Sequence, residues 1–342
     1  MKVVIMAGGK GLRFWPRSVE AMPKQFLTLT SHESMLQQTY DRFRKHMDVS
    51  DIYVVTGSSY VSLVHEQLPS LRPERLIVEP EQRDTGPSLG LTARFFLQQQ
   101  LDDVLVTTPS DQYIPDDQAL MAALLEAEQI AGQGESIVTL GIVPTRPETG
   151  YGYIQAASDP ALGRAKRVLK FVEKPSEQRA KELIMEKDMY WNSGIFIWKP
   201  STIDKNMKRF QPDMWSKLWS VDASFTEVYA ALPKISIDYA ILERAKSVYT
   251  IPVHFIWDDV GSWTSLERIY PKDEYGNLAL GKVYVLETSN SIIYTDVQKV
   301  IAIGVEDLII VSTKDGLLVC RKADEQKIKM AVNLMESDPP SS

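Results

Sequence analysis

Near the start of this 342-residue chain a short apolar stretch ends at Ala7 and runs into Gly8, Gly9, Lys10 and Gly11, followed by Arg13 and, further on, Lys24. Glycines let backbone N–H groups close on an anion, and the cations add charge, so the stretch has the chemistry to hold a nucleoside triphosphate. The glycine spacing matches neither G-x-G-x-x-G nor the P-loop G-x-x-x-x-G-K-[ST], which disfavours a dehydrogenase. Taken alone, such a turn is as often only a turn.

Two carboxylates stand out as metal ligands. Asp111 follows Thr107-Thr108-Pro109-Ser110, and a carboxylate at a strand end can hold Mg²⁺ against phosphate oxygens; it can also simply cap the helix near 116–131. Trp257-Asp258-Asp259-Val260-Gly261 offers a second, with one of its two aspartates available as a helix cap. Spacing does not say whether these segments meet. Glu173-Lys174-Pro175 provides an acceptor for sugar hydroxyls and a cation for phosphate, or a surface charge pair. Asn192, between Trp191 and Ser193-Gly194, adds an amide, and the tryptophan reads as core. Arg83-Asp84-Thr85-Gly86-Pro87-Ser88 leads into a helix, either as a cap or as a reader of a base.

The elements that must position these residues are legible in outline. Apolar, β-branched runs at 3–6, 52–56, 76–79, 104–107 and 136–142 alternate with helical patterns. Leu36, Tyr40, Phe43 and Met47 fall at helical spacing after a capping box of Thr30 and Glu33, and Pro87 takes the first position of another helix. The alternation predicts an α/β fold with a parallel sheet covered by helices, with ligands at the carboxyl ends of strands. Residues 145–265 are mixed and rich in aromatics. After Gly276-Asn277, short apolar segments recur every eight or nine residues, which predicts a small all-β unit, closed by a helix over about 323–335.

Composition narrows the class. The chain is 44% hydrophobic and 24% charged, with net charge −7. That is ordinary globular make-up, and an acidic chain without a long basic run is a poor nucleic-acid binder. One cysteine, Cys320, excludes an internal disulfide and a cysteine-rich metal site, and four histidines argue against a histidine-based zinc site. No apolar run reaches the ~18 residues of a membrane span, and no cleavage region follows the first strand. The expected setting is cytoplasmic, with no membrane partner.

These segments, in this order, resemble the sugar-1-phosphate nucleotidylyltransferases, and within them the guanylyltransferases that use mannose 1-phosphate. The resemblance rests on 8–18, Pro23-Lys24-Gln25, 83–88, Pro109-Ser110-Asp111, 148–154, 171–175, 191–196, 236–240 and 259–263, and so spans nearly the whole chain. It implies a Rossmann-like mixed-sheet catalytic domain over 1–275, a short left-handed β-helix with a final helix over 276–336, and a disordered tail at 337–342. It implies transfer of GMP from GTP to mannose 1-phosphate, giving GDP-mannose and pyrophosphate, with Mg²⁺ on Asp111 and Asp259. Ala7, Gly8, Gly9, Gly11, Arg13, Lys24, Asp84, Thr85, Gly86 and Ser110 would bind the nucleotide, with Arg13 and Lys24 on the triphosphate. Gly152, Glu173 and Asn192 would hold the sugar and Lys174 its phosphate; Arg13, Lys24, Asp111 and Lys174 would carry catalysis. A homodimer is expected, and the isomerase domain of longer relatives is not.

Two departures from the family pattern bear on specificity. Asp84, Gly86 and Ser88 replace the usual Arg-Asn-Thr-Ala-Pro-Ala residues, and Gln112 replaces a histidine. An ionised Asp84 could accept from both N1–H and the exocyclic amine of guanine, whereas adenine presents an acceptor at N1. The alternatives are a relative with another base or sugar, and a non-catalytic GDP-mannose-binding regulator. A regulator would be expected to have lost Lys24, Asp111 or Asp259, and all three are present.

Overall fold

Ile52-Tyr-Val-Val-Thr-Gly57 is apolar or β-branched without alternation, and all six residues are buried. Such a run suits a strand covered on both faces. The computed structural model describes residues 1–9, 11–158, 163–172, 174–220 and 225–337. The chain forms two compact units: Met1–Gly8, Thr39–Ser110 and Ile114–Trp257 make the first, and Gly9–Gln38, Asp111–Tyr113 and Asp258–Ser342 the second.

The first unit is built on a nine-stranded sheet of order β3-β2-β1-β4-β8-β5-β9-β7-β6. Its strands are β1 (Lys2–Met6), β2 (Ile52–Gly57), β3 (Leu76–Glu79), β4 (Leu105–Pro109), β5 (Ile137–Ile142), β6 (Tyr153–Ser158), β7 (Lys166–Val172), β8 (Met189–Trp198) and β9 (Val248–Val253). The five predicted runs are β1 to β5. β3, β2, β1 and β4 are parallel neighbours, as the alternating pattern requires. The long β8 then inserts antiparallel to both β4 and β5, making the sheet mixed.

Helices α1 (Met35–Arg44), α2 (Val61–Gln67), α3 (Thr85–Gln98), α4 (Asp117–Ala131), α5 (Glu177–Leu183), α6 (Pro200–Phe210), α7 (Pro212–Leu218) and α8 (Phe225–Ala230) complete this part of the chain. Leu89, Ala93 and Phe96 of α3 pack in one core with Ile203, Met207, Trp215 and Leu218. Two starts differ from expectation. The reciprocal cap before α1 is made by Ser34 and Gln37, whose side chains each accept from the other's backbone N–H at 3.1 and 2.9 Å, not by Thr30 and Glu33. Pro87 is the third residue of α3, behind the cap Asp84. First-turn N–H groups lack intrahelical partners, so proline fits there as well as at the first position.

The second unit contains β10 (Leu278–Leu280), β11 (Val283–Leu286), β12 (Ile292–Thr295), β13 (Val300–Ile303), β14 (Leu308–Thr313), β15 (Gly316–Arg321) and α9 (Ile328–Ser337). β10, β12 and β14 stack in parallel, and β11 stacks on β13. Val283 pairs with Val300 and Ile292 with Ile309, each 17 residues on. Two strands per 17-residue coil account for the eight-to-nine-residue rhythm, and the unit is a short parallel β-helix. Buried Asn277 ties successive turns: its Nδ2 donates to Thr288 O at 2.8 Å and its Oδ1 accepts from Ser291 N at 3.0 Å. The predicted closing helix begins as a 3-10 stretch, Lys322–Lys327, and continues as α9. Residues 338–342 of the expected tail lie outside the described residues. No helix among the described residues is long and apolar enough to cross a membrane.

Candidate active site

In the second unit Gly11, Asp111 and Asp259 come together at one residue, Lys24. Lys24 opens the 3-10 turn Lys24–Phe26, and its side chain is 8% exposed. Its Nζ donates to Asp111 Oδ2 at 2.8 Å, to the Asp111 carbonyl at 3.1 Å and to the Asp259 carbonyl at 2.6 Å. An ammonium has three donors, and here all three join segments 87 and 235 residues away. Tyr113 and Asp258 exchange backbone hydrogen bonds of 2.9 and 3.1 Å, which fixes the two aspartate segments side by side.

Of the acidic pair, Asp258 is structural. It is 4% exposed, receives Arg268 Nε and Nη2 at 2.5 and 3.0 Å, and accepts from Val260 N at 2.8 Å. The cap of the following 3-10 helix (Trp263–Arg268) is neither aspartate but Ser262, in a reciprocal box with Ser265. Glu325 reinforces that start, accepting from Thr264 N at 3.1 Å, Thr264 Oγ1 at 2.5 Å and Ser262 Oγ at 3.1 Å. Asp259 is half-buried, its carboxylate so close to Gly261 that a Cβ there would sit 2.8 Å from Oδ2. The cap of α4 is Asp116, bonded to Ala119 N at 2.9 Å, so Asp111 has no capping task there.

The glycine turn closes on Lys24. Gly11 has φ 57°, and a Cβ on it would stand 2.6 Å from Lys24 Cβ and 3.0 Å from Lys24 N. Gly9, with φ 95°, is held through its carbonyl by Gln25 Nε2 at 3.2 Å. Arg13 is exposed, while the residues after it are fastened to the 3-10 helix Trp263–Arg268 and to β12. Phe14 packs on Trp263 at 5.2 Å, Trp263 Nε1 donates to Trp15 O at 3.3 Å, and Arg17 lies 4.8 Å over Tyr294 while gripping Thr28.

The first unit carries the remaining candidates at strand ends. Ala7 and Ser110 follow the paired ends of β1 and β4, and both are buried; Thr56 Oγ1 donates to Ala7 O at 2.8 Å and Thr39 Oγ1 to Ser110 O at 3.0 Å. Gly8 lies next to Glu79, a residue that sequence reasoning passes over: a Cβ on Gly8 would be 3.9 Å from its carboxylate. Glu79 closes β3 at 4% exposure, receives Ser88 Oγ at 3.0 Å and Tyr229 OH at 2.8 Å, and burial pushes its carboxyl above the usual range. The same burial pushes the Tyr229 hydroxyl up. The available signal is a lone acid ending an apolar strand.

Asp84 is exposed at φ 71° and accepts from Thr85 N at 2.7 Å, so one of its oxygens caps α3. Thr85 Oγ1 takes Ile237 N at 2.8 Å and Gly86 N donates to Ile235 O at 2.9 Å. A Cβ on Gly86 would stand 2.7 Å from Ile235 O, so this turn requires glycine where the family pattern has alanine.

Asn192 N donates to Gly152 O at 2.8 Å, which joins two predicted sugar-site residues. Asn192 Nδ2 also donates to Asp238 Oδ1 at 3.0 Å, and its Oδ1 accepts from Gly194 N at 3.1 Å. Asp238, in a π-helical turn (Asp238–Leu242), is a second residue that sequence reasoning does not assign. Lys174 is exposed at φ 36° just past β7, whose Val172 pairs with Tyr153, so Gly152 and Lys174 occupy the same end of that hairpin. Glu173 lies outside the described residues. Trp191 is 1% exposed and packs edge-on to Tyr151 at 5.2 Å, as core.

Comparison with known proteins agrees in both parts of the chain. Residues 2–275 match the family described as Nucleotidyl transferase, and residues 281–334 match a MannoseP isomerase/GMP-like beta-helix domain. A mannose-1-phosphate guanylyltransferase of Klebsiella pneumoniae is 36% identical over 99% of this chain and 74% of its own length. The alginate biosynthesis protein AlgA of Pseudomonas fluorescens is 35% identical over 97% of this chain and 71% of its own. A crystal structure described as a mannose-1-phosphate geranyltransferase from Thermus thermophilus superposes with a TM-score of 0.89 at 34% identity, covering 98% of this chain and 99% of the other. With a family match that takes in most of its length and a fold that carries the matched residues to strand ends and around one buried lysine, the chain belongs to the nucleotidyl transferase family.

Proposed function

We propose that this chain transfers GMP from GTP to mannose 1-phosphate, forming GDP-mannose and pyrophosphate. The observation that carries the reading is the Lys24 ammonium joined to the Asp111 carboxylate and the Asp259 carbonyl. It stands beside 36% identity to a guanylyltransferase named for mannose 1-phosphate.

Two carboxylates offering only oxygen suit Mg²⁺, which is held by one or two carboxylates plus substrate phosphates rather than by an all-protein cage. In this reading Asp111 and Asp259 hold Mg²⁺, which when bound supplies positive charge to the triphosphate.

The sugar phosphate oxygen attacks the α-phosphorus, the bond to the β-phosphate oxygen breaks, and pyrophosphate leaves with that electron pair. A phosphate oxygen is already a competent nucleophile, so no general base is needed. The barrier is electrostatic: at ~4 Å and an effective dielectric of ~20, each pair of like charges costs about 4 kcal/mol. Gly8, Gly9, Gly11 and Arg13 bind the triphosphate, and Lys174 meets the sugar phosphate. Lys24 orients Asp111 and Asp259 and adds its charge. Ala7, Asp84, Thr85, Gly86 and Ser110 contact the nucleoside, with the Asp84 oxygen not used as a cap accepting from guanine. Gly152, Glu173 and Asn192 hold the mannose ring. Catalysis is then positioning and charge stabilisation.

The same reading includes a homodimer working in the cytoplasm. A pyrophosphate-release assay over GTP, ATP, UTP and CTP against mannose 1-phosphate and glucose 1-phosphate tests the substrates. GTP with mannose 1-phosphate is expected to be fastest; preference for ATP, or for glucose 1-phosphate, would overturn the assignment.

A further inference from the structure

Within the first unit, the base turn and the sugar residues are joined by one short stretch, Ile235-Ser236-Ile237-Asp238. One end is bonded to the turn assigned to the nucleotide. Gly86 N donates to Ile235 O at 2.9 Å, and Ile237 N donates to Thr85 Oγ1 at 2.8 Å. The other end is bonded to the residue assigned to the sugar. Asn192 Nδ2 donates to Asp238 Oδ1 at 3.0 Å, and Asn192 N donates to Gly152 O at 2.8 Å.

The stretch is built to transmit rather than absorb a displacement. Ile237, Ala240, Ile241 and Leu242 are buried in the same core as Leu89, Ala93 and Phe96 of α3. Glu243 N donates to Asp238 O at 3.0 Å, closing the π-helical turn Asp238–Leu242 directly behind the stretch. Packed interiors yield little, and single π turns are frequent at functional sites. The approach to the nucleotide turn is close enough to exclude a side chain: a Cβ on Gly86 would stand 2.7 Å from Ile235 O and 3.1 Å from Ile235 Cγ2.

We propose that residues 235–238 are a strut that couples the nucleotide turn to the sugar site, with Asp238 as the positioning residue at its far end. The proposal rests on the reading above that gives Thr85 and Gly86 to the nucleotide and Asn192 to mannose. Asp238 holds one end of the Asn192 amide while Gly194 N holds the other, so the amide presents a fixed donor and a fixed acceptor. A nucleotide that orders Thr85 and Gly86 steadies the strut, and the strut steadies Asn192. Nucleotide therefore raises the affinity for mannose 1-phosphate, and mannose 1-phosphate raises the affinity for nucleotide by the same factor.

Calorimetric titration of the full chain with mannose 1-phosphate, with and without a GTP analogue that cannot release pyrophosphate, tests this beside steady-state kinetics. The wild type is expected to bind mannose 1-phosphate about fivefold or more tightly when the analogue is present. In Asp238→Leu that factor is expected to fall to about one, and the KM for mannose 1-phosphate to rise while the KM for GTP stays within about twofold. Asp238→Asn, which keeps an oxygen acceptor for Asn192, is expected to retain the coupling. Thr85→Val leaves the buried Ile237 N–H unpaired and is expected to lose the coupling, and Thr85→Ser to retain it. A general loss of stability would not separate the two ligands or be rescued by these conservative changes. Wild-type turnover of GTP and mannose 1-phosphate without coupling, or with coupling that neither Asp238→Leu nor Thr85→Val alters, would overturn the strut and leave the transferase reading standing. A wild type that does not turn over this pair would overturn the transferase reading, and the strut with it.

Discussion

Gly11 and Lys24 are packed so closely that a single added carbon on the glycine would stand 2.6 Å from the lysine Cβ. The glycine turn and the buried ammonium are therefore one device. Gly11 is needed twice, once for its φ of 57° and once for this approach. Gly11→Ala is expected to lower turnover at least ~10-fold by displacing Lys24, because a shift of about 1 Å in a positioned catalytic group is already costly. Steady-state kinetics on protein with a near-native melting temperature checks this, and turnover equal to wild type would show that the contact does not matter.

Loss of the hub itself should cost more. Lys24→Ala or Asp111→Ala is expected to reduce kcat by at least ~10²-fold, the scale of one electrostatic stabiliser. Lys24→Ala also leaves the Asp111 carboxylate and the Asp259 carbonyl without the donor they share. A folded variant within threefold of wild type would remove these residues from the chemistry.

How far the sequence carries the argument varies from residue to residue. β2 is legible because an uninterrupted apolar, β-branched run suits a strand buried on both faces of a parallel sheet. The β-helix is legible because a 17-residue coil prints its period directly onto the sequence. The full extent of β8 is hidden. Gly194, at φ 71°, sits inside it where pairing with β5 shifts register, so the turn-like Asn192-Ser193-Gly194 is a bulge within one strand. The Lys24 hub is not legible from spacing, since separations of 87 and 235 residues carry no local signal; only the family resemblance names its members. Glu79 is hidden for a related reason, since its partners Ser88 and Tyr229 are recognisable only once the chain has folded.

Glu325 ties the C-terminal segment to the loop that carries Asp259. Glu325→Ala removes the acceptor for Thr264 N, Thr264 Oγ1 and Ser262 Oγ. Unsatisfied buried donors are costly, so the melting temperature should fall. The specific expectation is a several-fold rise in the Mg²⁺ concentration needed for half-maximal turnover, with less effect on the KM for mannose 1-phosphate. Equal changes in both would reduce Glu325 to a general stabiliser.

Asn192 presents its amide to Asp238 at 3.0 Å. Asn192→Asp would set two carboxylates against each other and should raise the KM for mannose 1-phosphate about tenfold or more, at little cost to the KM for GTP. A change confined to GTP would move Asn192 out of the sugar site.

Glu79 gives the chain a pH dependence of predictable sign. Burial raises its carboxyl in the folded state above the unfolded value of about 4.3. Folded protein then holds the proton more tightly, so this group's contribution is fully present below the unfolded pKa and is lost as pH rises through the folded one. Glu79→Gln carries no such dependence. The melting temperature of Glu79→Gln relative to wild type should therefore climb as pH rises from the unfolded value of about 4.3 through the raised folded one. A difference that stays flat with pH would contradict the burial argument.

The most direct test of the account follows the α-phosphate. With GTP labelled at the α-phosphorus and mannose 1-phosphate present, the label is expected to appear in GDP-mannose, while label placed at the γ-phosphorus leaves in pyrophosphate. Recovery of both substrates unchanged from wild-type protein that binds them, with Mg²⁺ supplied, would contradict it.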